Sequence, residues 1–441
     1  MTSLFGTDGV RGRANALLTP ELALRLARAA ALRLARTGGR AIIGRDTRES
    51  GPMLEAALGS GFSSAGVDVD LAGVIPTPAI SFLIKDAHAD FGAVVSASHN
   101  PPADNGIKLF DRRGMKLTID EERAVENALE DDLPPADRIG KVSILDAAAT
   151  RYAAFLAGTI DAEAIDLSTH KLVVDCAFGA TGAIAPYVLR HLGAEVIELN
   201  TEPDGRRINV DCGSTHLEPI RRAVHDQGAD LGIAFDGDGD RVLLVAPSGR
   251  TIDGDQMMGI VALHMLRSGT LSPPTVVATV MSNLGFERAL ADRGIRLIRT
   301  PVGDRNVSQA LVTHNAQLGG EQSGHIIFAD HSPTGDGILT AVKLLEVAHE
   351  SDRDLESLAE EIPLLPQVHR SIPSDRPIEA LRQESVQTAL RAAEKDLGDG
   401  GRVIARASGT QPIIRLTVEA ESPELCESIA ARLEQTIAEG A

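Results

Sequence analysis

The sequence predicts an α/β fold of three similar α/β domains with mixed, mostly parallel sheets, followed by a smaller C-terminal α+β domain. Short apolar strands alternate with helical stretches in three successive rounds, the pattern of parallel sheets joined by right-handed crossovers. The segment after Pro366 breaks that rhythm. The chain also has 441 residues, more than the roughly 250–300 that one hydrophobic core sustains.

The first helix is announced at Thr19-Pro20-Glu21, with a hydroxyl N-cap, Pro at the first helical position and an acid in the first turn. Arg25, Arg28, Arg33 and Arg36 share one face of it, read as a solvated surface. Ala41-Ile42-Ile43-Gly44 is a buried strand, residues 52–65 a helix, and residues 67–71 and 93–95 further strands. The alternation restarts after the polar stretch 131–140, which contains Pro134-Pro135. There it gives a strand at 172–174, a helix over 180–192, a strand at 195–197, a helix near 219–227 and a strand at 231–234. A third round begins near Asp253, with a helix through 257–266 and strands at 275–280 and 295–298. Beyond Pro366 come two helical stretches, strands at 402–405 and 413–418, and a closing helix. The expected domains are therefore 1–150, 151–250, 251–364 and 365–441.

Composition narrows the function. Hydrophobic residues at 43% and charged residues at 24% exclude a disordered chain. Aromatics are only 3%, with no Trp, so Leu, Ile, Val and Ala must build the core and base-stacking platforms are lacking. Lys and Arg number 43 against 62 Asp and Glu, a formal charge of −19 that repels a nucleic-acid backbone. An anionic small molecule would need a local basic pocket. Cys176, Cys212 and Cys426 form no CxxC pair, which argues against a zinc site or disulfide framework and for a reducing compartment. The N-terminus lacks a signal-peptide layout and no apolar stretch is long enough for a membrane. The expectation is a cytoplasmic protein with neither membrane nor nucleic-acid partner.

Four stretches carry chemistry. Ser96-Ala97-Ser98-His99-Asn100-Pro101-Pro102 follows an apolar strand, where a serine can be a nucleophile, a phosphate carrier or a plain capping hydroxyl. Asp236-Gly237-Asp238-Gly239-Asp240-Arg241 places three carboxylates at alternate positions. An EF-hand is excluded, because Arg241 stands where that loop needs Gly and Pro247 where it needs Glu. The run is a hairpin turn or a site for Mg²⁺, which takes few carboxylates and completes its shell with phosphate and water. Gly319-Gly320-Glu321-Gln322-Ser323-Gly324-His325 is a plain glycine-rich loop or one whose Glu and Ser meet sugar hydroxyls. In Arg406-Ala407-Ser408-Gly409-Thr410-Gln411-Pro412-Ile413-Ile414-Arg415, two guanidinium groups and two hydroxyls are the parts of a phosphate clamp or a surface turn. A Walker loop, a GxGxxG fingerprint and HExxH are absent.

Taken together and in this order, the four stretches resemble the α-D-phosphohexomutases over essentially the whole chain. The amino-sugar branch matches best, through Phe5-Gly6-Thr7-Asp8-Gly9-Val10-Arg11-Gly12, Asp104-Asn105-Gly106-Ile107-Lys108, Gly320 to His325, Asp211 to His216 and Val302-Gly303-Asp304-Arg305. The resemblance implies a heart-shaped, four-domain isomerase (an intramolecular phosphotransferase) with one loop per domain around a central cleft. Ser98 would be the phosphoserine, and Asp236, Asp238 and Asp240 would hold Mg²⁺ with an oxygen of that group. Glu321, Ser323 and His325 would contact the sugar. Arg406, Ser408, Gly409, Thr410 and Arg415 would hold the phosphate that is not reacting. Arg11 and Lys108 would lie near the transferring phosphate, with Lys108 a candidate for proton transfer. The implied reaction interconverts glucosamine 6-phosphate and glucosamine 1-phosphate through a hexosamine 1,6-bisphosphate, which is both intermediate and activator, and feeds UDP-N-acetylglucosamine synthesis. The partner is a small sugar phosphate, and a homodimer stays open as the assembly.

Three residues depart from the family pattern: Gln411 in place of Glu, Asn306 in place of an aromatic, and Phe178 in place of His. They bear on sugar specificity. A glucose or mannose phosphate mutase, a metal-dependent phosphatase and a non-catalytic sugar-phosphate binder are the rival readings. The last is disfavoured by the complete set of Ser98 and three aspartates.

Overall fold

The structure, a computed structural model, describes residues 4–6, 8–35, 38–129, 136–160, 165–408 and 412–439. The chain divides into two compact units, residues 1–280 with 296–359, and residues 281–295 with 360–441.

The first unit holds three sheets. Strands β1 (Val10–Arg13), β2 (Arg40–Arg45), β3 (Asp68–Val74), β4 (Phe91–Val95), β5 (Asp104–Asp111) and β6 (Val142–Ile144) form the first, in the order β1-β5-β4-β2-β3-β6. Its β4, β2, β3 and β6 run parallel, and β5 runs opposite to them, pairing antiparallel with β4 on one side and with β1 on the other. The second consists of β7 (Lys171–Asp175), β8 (Glu195–Leu199), β9 (Leu231–Phe235), β10 (Val242–Val245) and β11 (Thr251–Ile252), in the order β11-β10-β9-β7-β8. The third pairs β12 (Thr275–Thr279) in parallel with β13 (Arg296–Thr300) and β14 (Leu318–Gly320), and β14 antiparallel with β15 (Ile326–Phe328). Parallel strands buried on both faces read as continuous apolar runs, and β4, β9 and β12 are buried throughout. One core cluster packs Leu, Ile, Val and Ala, with Phe62 and Phe91 meeting edge to face at 5.0 Å.

The second unit holds an antiparallel sheet of β16 (Gln367–Pro373), β17 (Arg402–Ala407) and β18 (Ile413–Glu419), in the order β16-β18-β17. Helices Glu384–Leu397 and Pro423–Glu439 supply apolar faces to its core.

The N-cap at Thr19 forms as expected, its Oγ1 accepting from the Leu22 amide at 3.2 Å. Arg25 and Arg33 are exposed and Arg28 is half-buried, while Arg36 lies outside the described residues. Other expectations need correction. The helix expected over 180–192 is only Ala185–His191. Upstream, Gly179 and Gly182 lie against the Gly237 and Thr201 carbonyls, where a Cβ would come within 2.3 and 2.1 Å. The chain there serves backbone-to-backbone packing, and the helix begins near Pro186. Strand β16 precedes the two C-terminal helical stretches, where no strand was expected. It is an edge strand, which tolerates its terminal Pro373. Among the described residues no helix is long and apolar enough to cross a membrane.

In the first unit, three of the loops singled out in the sequence are the turns of antiparallel hairpins: β4–β5, β9–β10 and β14–β15. In the second unit, the antiparallel strands β17 and β18 flank the fourth. In the first unit these hairpins mark where a parallel sheet turns antiparallel.

Candidate active site

Ser98 stands in the β4–β5 turn at φ 52°, the left-handed region that costs a residue with a side chain about 1–2 kcal/mol. Its buried hydroxyl donates to Asp236 Oδ2 at 2.7 Å and lies 3.2 Å from His99 Nδ1. Burial, with Arg241 and Arg11 nearby, holds the His99 pKa down to about 4, so that imidazole is neutral at physiological pH. The pairing of His99 with Ser98, a weak sign when read along the chain, is therefore a spatial contact.

Asp236, Asp238 and Asp240 are all buried in the β9–β10 turn, and one oxygen from each lies within 4.8 Å of the others. Gly239 takes φ 70° between two of them, a conformation that suits glycine. Asp238 Oδ2 accepts from Thr77 Oγ1 at 2.5 Å and from Lys108 Nζ at 2.8 Å. Asp240 Oδ2 faces Lys108 Nζ at 3.5 Å and His325 Nδ1 at 3.7 Å. The second oxygens, Oδ1 of Asp238 and Oδ1 of Asp240, are buried with no hydrogen-bond partner. Such groups are costly unless something meets them. Three convergent carboxylates with two unmet oxygens fit a hard divalent cation. Burial and the facing Asp240 and Asp238 push the Asp236 carboxyl well above the usual range. Burial acts the same way on Asp240, but Lys108 and His325 overcome it and hold that carboxyl well below.

Lys108, on β5, is buried among acids. Burial disfavours its charge, yet Asp238, Asp8 and Asp240 together keep the ammonium well above its ordinary value. Its Nζ is 3.1 Å from Asp8 Oδ2. Asp8 also pairs with Arg11 and Lys116, and Lys116 reaches on to Asp304. Arg11 Nη1 extends to Asn100 Oδ1 at 3.4 Å. The structure thus brings Ser98, Arg11, Lys108 and the three aspartates into one cluster.

In the β14–β15 turn, Glu321 Oε1 accepts from the Gly303 amide at 3.1 Å. Ser323 Oγ is buried with no partner. His325 is enclosed, its Nδ1 toward Asp240 and its Nε2 accepting from the Gly335 amide at 3.1 Å. Both ring nitrogens therefore face protein groups, and the imidazole buttresses Asp240. In the second unit, Arg406 and Arg415 are cross-strand partners and the Ser408 amide donates to the Ile413 carbonyl at 2.9 Å. Gly409, Thr410 and Gln411 lie outside the described residues.

The other two departures are accounted for. The Phe178 ring is covered by the Arg207 guanidinium at 3.9 Å. Asn306 Nδ2 donates to the Val302 carbonyl at 3.0 Å, so the side chain braces its own turn. Sequence reasoning missed Asp46, Arg48, Thr77, Lys116 and the pairing role of Asp8. A signal was present in Arg45-Asp46-Thr47-Arg48, a charged run at the carboxyl end of an apolar strand.

Four family models match the chain. They are the phosphoglucomutase/phosphomannomutase alpha/beta/alpha domains I, II and III at residues 2–134, 150–249 and 253–364, and the C-terminal domain at 373–436. The phosphoglucosamine mutase of Salinispora arenicola is 48% identical, over 98% of this chain and 98% of its own. That of Natranaerobius thermophilus is 45% identical over 100% of both chains. The crystal structure of a phosphoglucomutase/phosphomannomutase family protein from Burkholderia thailandensis is 27% identical and superposes with a TM-score of 0.83, covering 100% of this chain and 98% of that one. With models matched from residue 2 to residue 436 and full-length relatives at such identity, the chain belongs to the phosphoglucomutase/phosphomannomutase family, the α-D-phosphohexomutases.

Proposed function

We propose that the protein interconverts glucosamine 6-phosphate and glucosamine 1-phosphate, with Ser98 as phosphoryl carrier. The observation that carries the chemistry is the buried Ser98 hydroxyl, 2.7 Å from a three-carboxylate cluster with unmet oxygens. The full-length relatives at 45–48% identity, named as phosphoglucosamine mutases, support the choice of sugar.

In this reading the resting enzyme is phosphorylated on Ser98. The Ser98 Oγ–P bond breaks as phosphorus bonds to the 1-oxygen of glucosamine 6-phosphate, and the proton of that hydroxyl ends on the freed Ser98 Oγ. The resulting 1,6-bisphosphate turns over in the site. Its 6-phosphoryl group then passes back to Ser98 Oγ as the O6–P bond breaks, and the serine's proton ends on the freed 6-oxygen. Lys108 and Arg11 offset charge on the transferring group, and Lys108 is the candidate for proton transfer. Glu321 and Ser323 hold sugar hydroxyls, while Arg406, Ser408 and Arg415, with Gly409 and Thr410, hold the idle phosphate. Asp236, Asp238 and Asp240, with Ser98, would hold Mg²⁺, which neutralises developing charge when bound. Three buried free thiols are in keeping with a reducing cytoplasm.

The test is a phosphorus NMR time course with Mg²⁺ and trace hexose bisphosphate, offering glucosamine, glucose and mannose 6-phosphates separately. Conversion of glucosamine 6-phosphate to the 1-phosphate with little free phosphate, abolished in Ser98→Ala, is the expected result. Preference for glucose or mannose phosphate would overturn the sugar assignment, and net release of phosphate would overturn the mutase.

A further inference from the structure

We propose that Arg48, paired with Asp46, is a positioning residue that sets the backbone of Ser98 for phosphoryl transfer; the inference rests on Ser98 being the phosphoryl carrier. Arg48 follows β2, beside β4, and is fully buried. A guanidinium has five N–H donors in a fixed fork, and here each has an acceptor. Nε donates to Asp46 Oδ2 at 2.9 Å. One Nη2 hydrogen goes to the Ser98 carbonyl at 3.0 Å and the other to the Asn100 carbonyl at 2.7 Å. Nη1 donates to the Asp104 carbonyl at 2.9 Å and to the Pro101 carbonyl. Four carbonyls of the β4–β5 turn thus converge on one cation.

The other side of Ser98 is held by the same pair. The Ser98 amide donates to Ser96 Oγ at 2.9 Å, and Ser96 Oγ donates to Asp46 Oδ2 at 2.6 Å. Amide and carbonyl of the nucleophile are therefore clamped by one buried ion pair, through Ser96 on one side and directly on the other. This explains how Ser98 keeps φ 52° without being glycine. Asn209 Nδ2 adds a bond to the Ser98 carbonyl at 2.9 Å.

A buried ion pair is by itself poor evidence of stabilisation, since desolvation offsets most of the attraction. The bonds to the Ser98 carbonyl and, through Ser96, to its amide fix the backbone from which Oγ reaches Asp236 Oδ2 at 2.7 Å. Lysine, with three donors and no fork, cannot reach all five of these acceptors and leaves at least two of them without its bond.

The experiment compares wild type, Arg48→Lys, Arg48→Ala and Ser96→Ala, with kcat expressed per Ser98 found phosphorylated by mass spectrometry and Tm recorded for each. Misplacement of the nucleophile by about 1 Å costs roughly 100-fold. The expected result is a fall of that order in kcat for both Arg48 variants, with KM for glucosamine 6-phosphate within about threefold of wild type. Guanidinium ion should restore Arg48→Ala at least about tenfold and leave Arg48→Lys unchanged. Ser96→Ala, which loosens only the amide side, should lose roughly tenfold in kcat with a small change in Tm, and serves if the Arg48 variants do not fold. A folded, phosphorylated Arg48→Lys with wild-type kcat overturns the proposal, as does Ser96→Ala with wild-type kcat. Wild-type enzyme that converts no sugar phosphate overturns the assigned function instead, and this role with it.

Discussion

Arg406 of β17 and Arg415 of β18 stand directly opposite each other across the antiparallel ladder. Two guanidinium groups side by side offer converging donors to an anion, and charge-assisted bonds to phosphate are among the stronger hydrogen bonds. Arg415→Ala is therefore expected to raise KM for glucosamine 6-phosphate roughly 10- to 100-fold, with a smaller effect on kcat. Inorganic phosphate should raise the Tm of wild type more than that of the variant. Steady-state kinetics with an unchanged KM would count against the clamp.

The carboxylate cluster makes a second prediction. Asp238 Oδ1 and Asp240 Oδ1 are buried with no hydrogen-bond partner, Asp240 Oδ1 facing Arg241 Nε at 3.8 Å, and Asp236, Asp238 and Asp240 repel one another. A bound cation answers both, so adding Mg²⁺ to chelator-stripped protein should raise Tm as well as restore turnover. Asp240→Asn is expected to lift the half-saturating Mg²⁺ concentration by about tenfold or more. Calorimetric titration showing equal Mg²⁺ affinity in variant and wild type would remove the triad as the metal site.

Asp336 links stability to pH. Burial pushes its carboxyl up to about 6, with Asp240 adding to the effect, although the Leu339 amide and the Tyr152 hydroxyl donate to it. In the unfolded chain it titrates near its ordinary 3.8, so between the two values the folded state binds the extra proton. The stability from this group is complete below pH about 4 and is lost as pH rises to about 6, by up to about 3 kcal/mol. Asparagine keeps the cap and the acceptor for Tyr152 without a charge. The Tm of Asp336→Asn relative to wild type should therefore climb by several degrees between pH 4 and 7 in thermal melts. A flat difference would show that Asp336 titrates as an ordinary carboxyl.

How much of this was legible depended on whether partners are adjacent in the chain. Ser98, the Asp236–Asp240 run and the Glu321–His325 loop each sit in one hairpin turn, so a local motif exposes them. Asp46 and Arg48 reach the same place from the end of β2 and Thr77 from beyond the end of β3, and only sheet closure shows that they touch it. Strand β1 was missed because Val10–Arg13 has one apolar residue, and β16 because His369, Arg370 and Pro373 mask its alternation. The helix Leu284–Ala291 reads as an ordinary crossover between β12 and β13, yet it belongs to the second unit. There Asn283 bonds both the amide and the carbonyl of Leu365, and Glu419 accepts from the Leu284 amide. No local pattern announces those contacts, which join segments far apart in sequence.

Ser323 separates function from fold most cleanly. Its Oγ is buried without a partner, so the hydroxyl adds a desolvation cost of about 1–3 kcal/mol and no compensating bond in the free protein. Ser323→Ala should leave Tm unchanged or raise it. A sugar hydroxyl that completes the bond in the complex would contribute about 0.5–1.5 kcal/mol, equivalent to a roughly 2- to 12-fold rise in KM for glucosamine 6-phosphate once it is lost. Glu321, two residues away, accepts from the Gly303 amide through Oε1. Thermal melts and steady-state kinetics on the same variant decide the matter. A lower Tm with an unchanged KM would make Ser323 part of the fold, whereas a higher KM at equal or higher Tm means that the hydroxyl is kept for the ligand at the expense of the empty site.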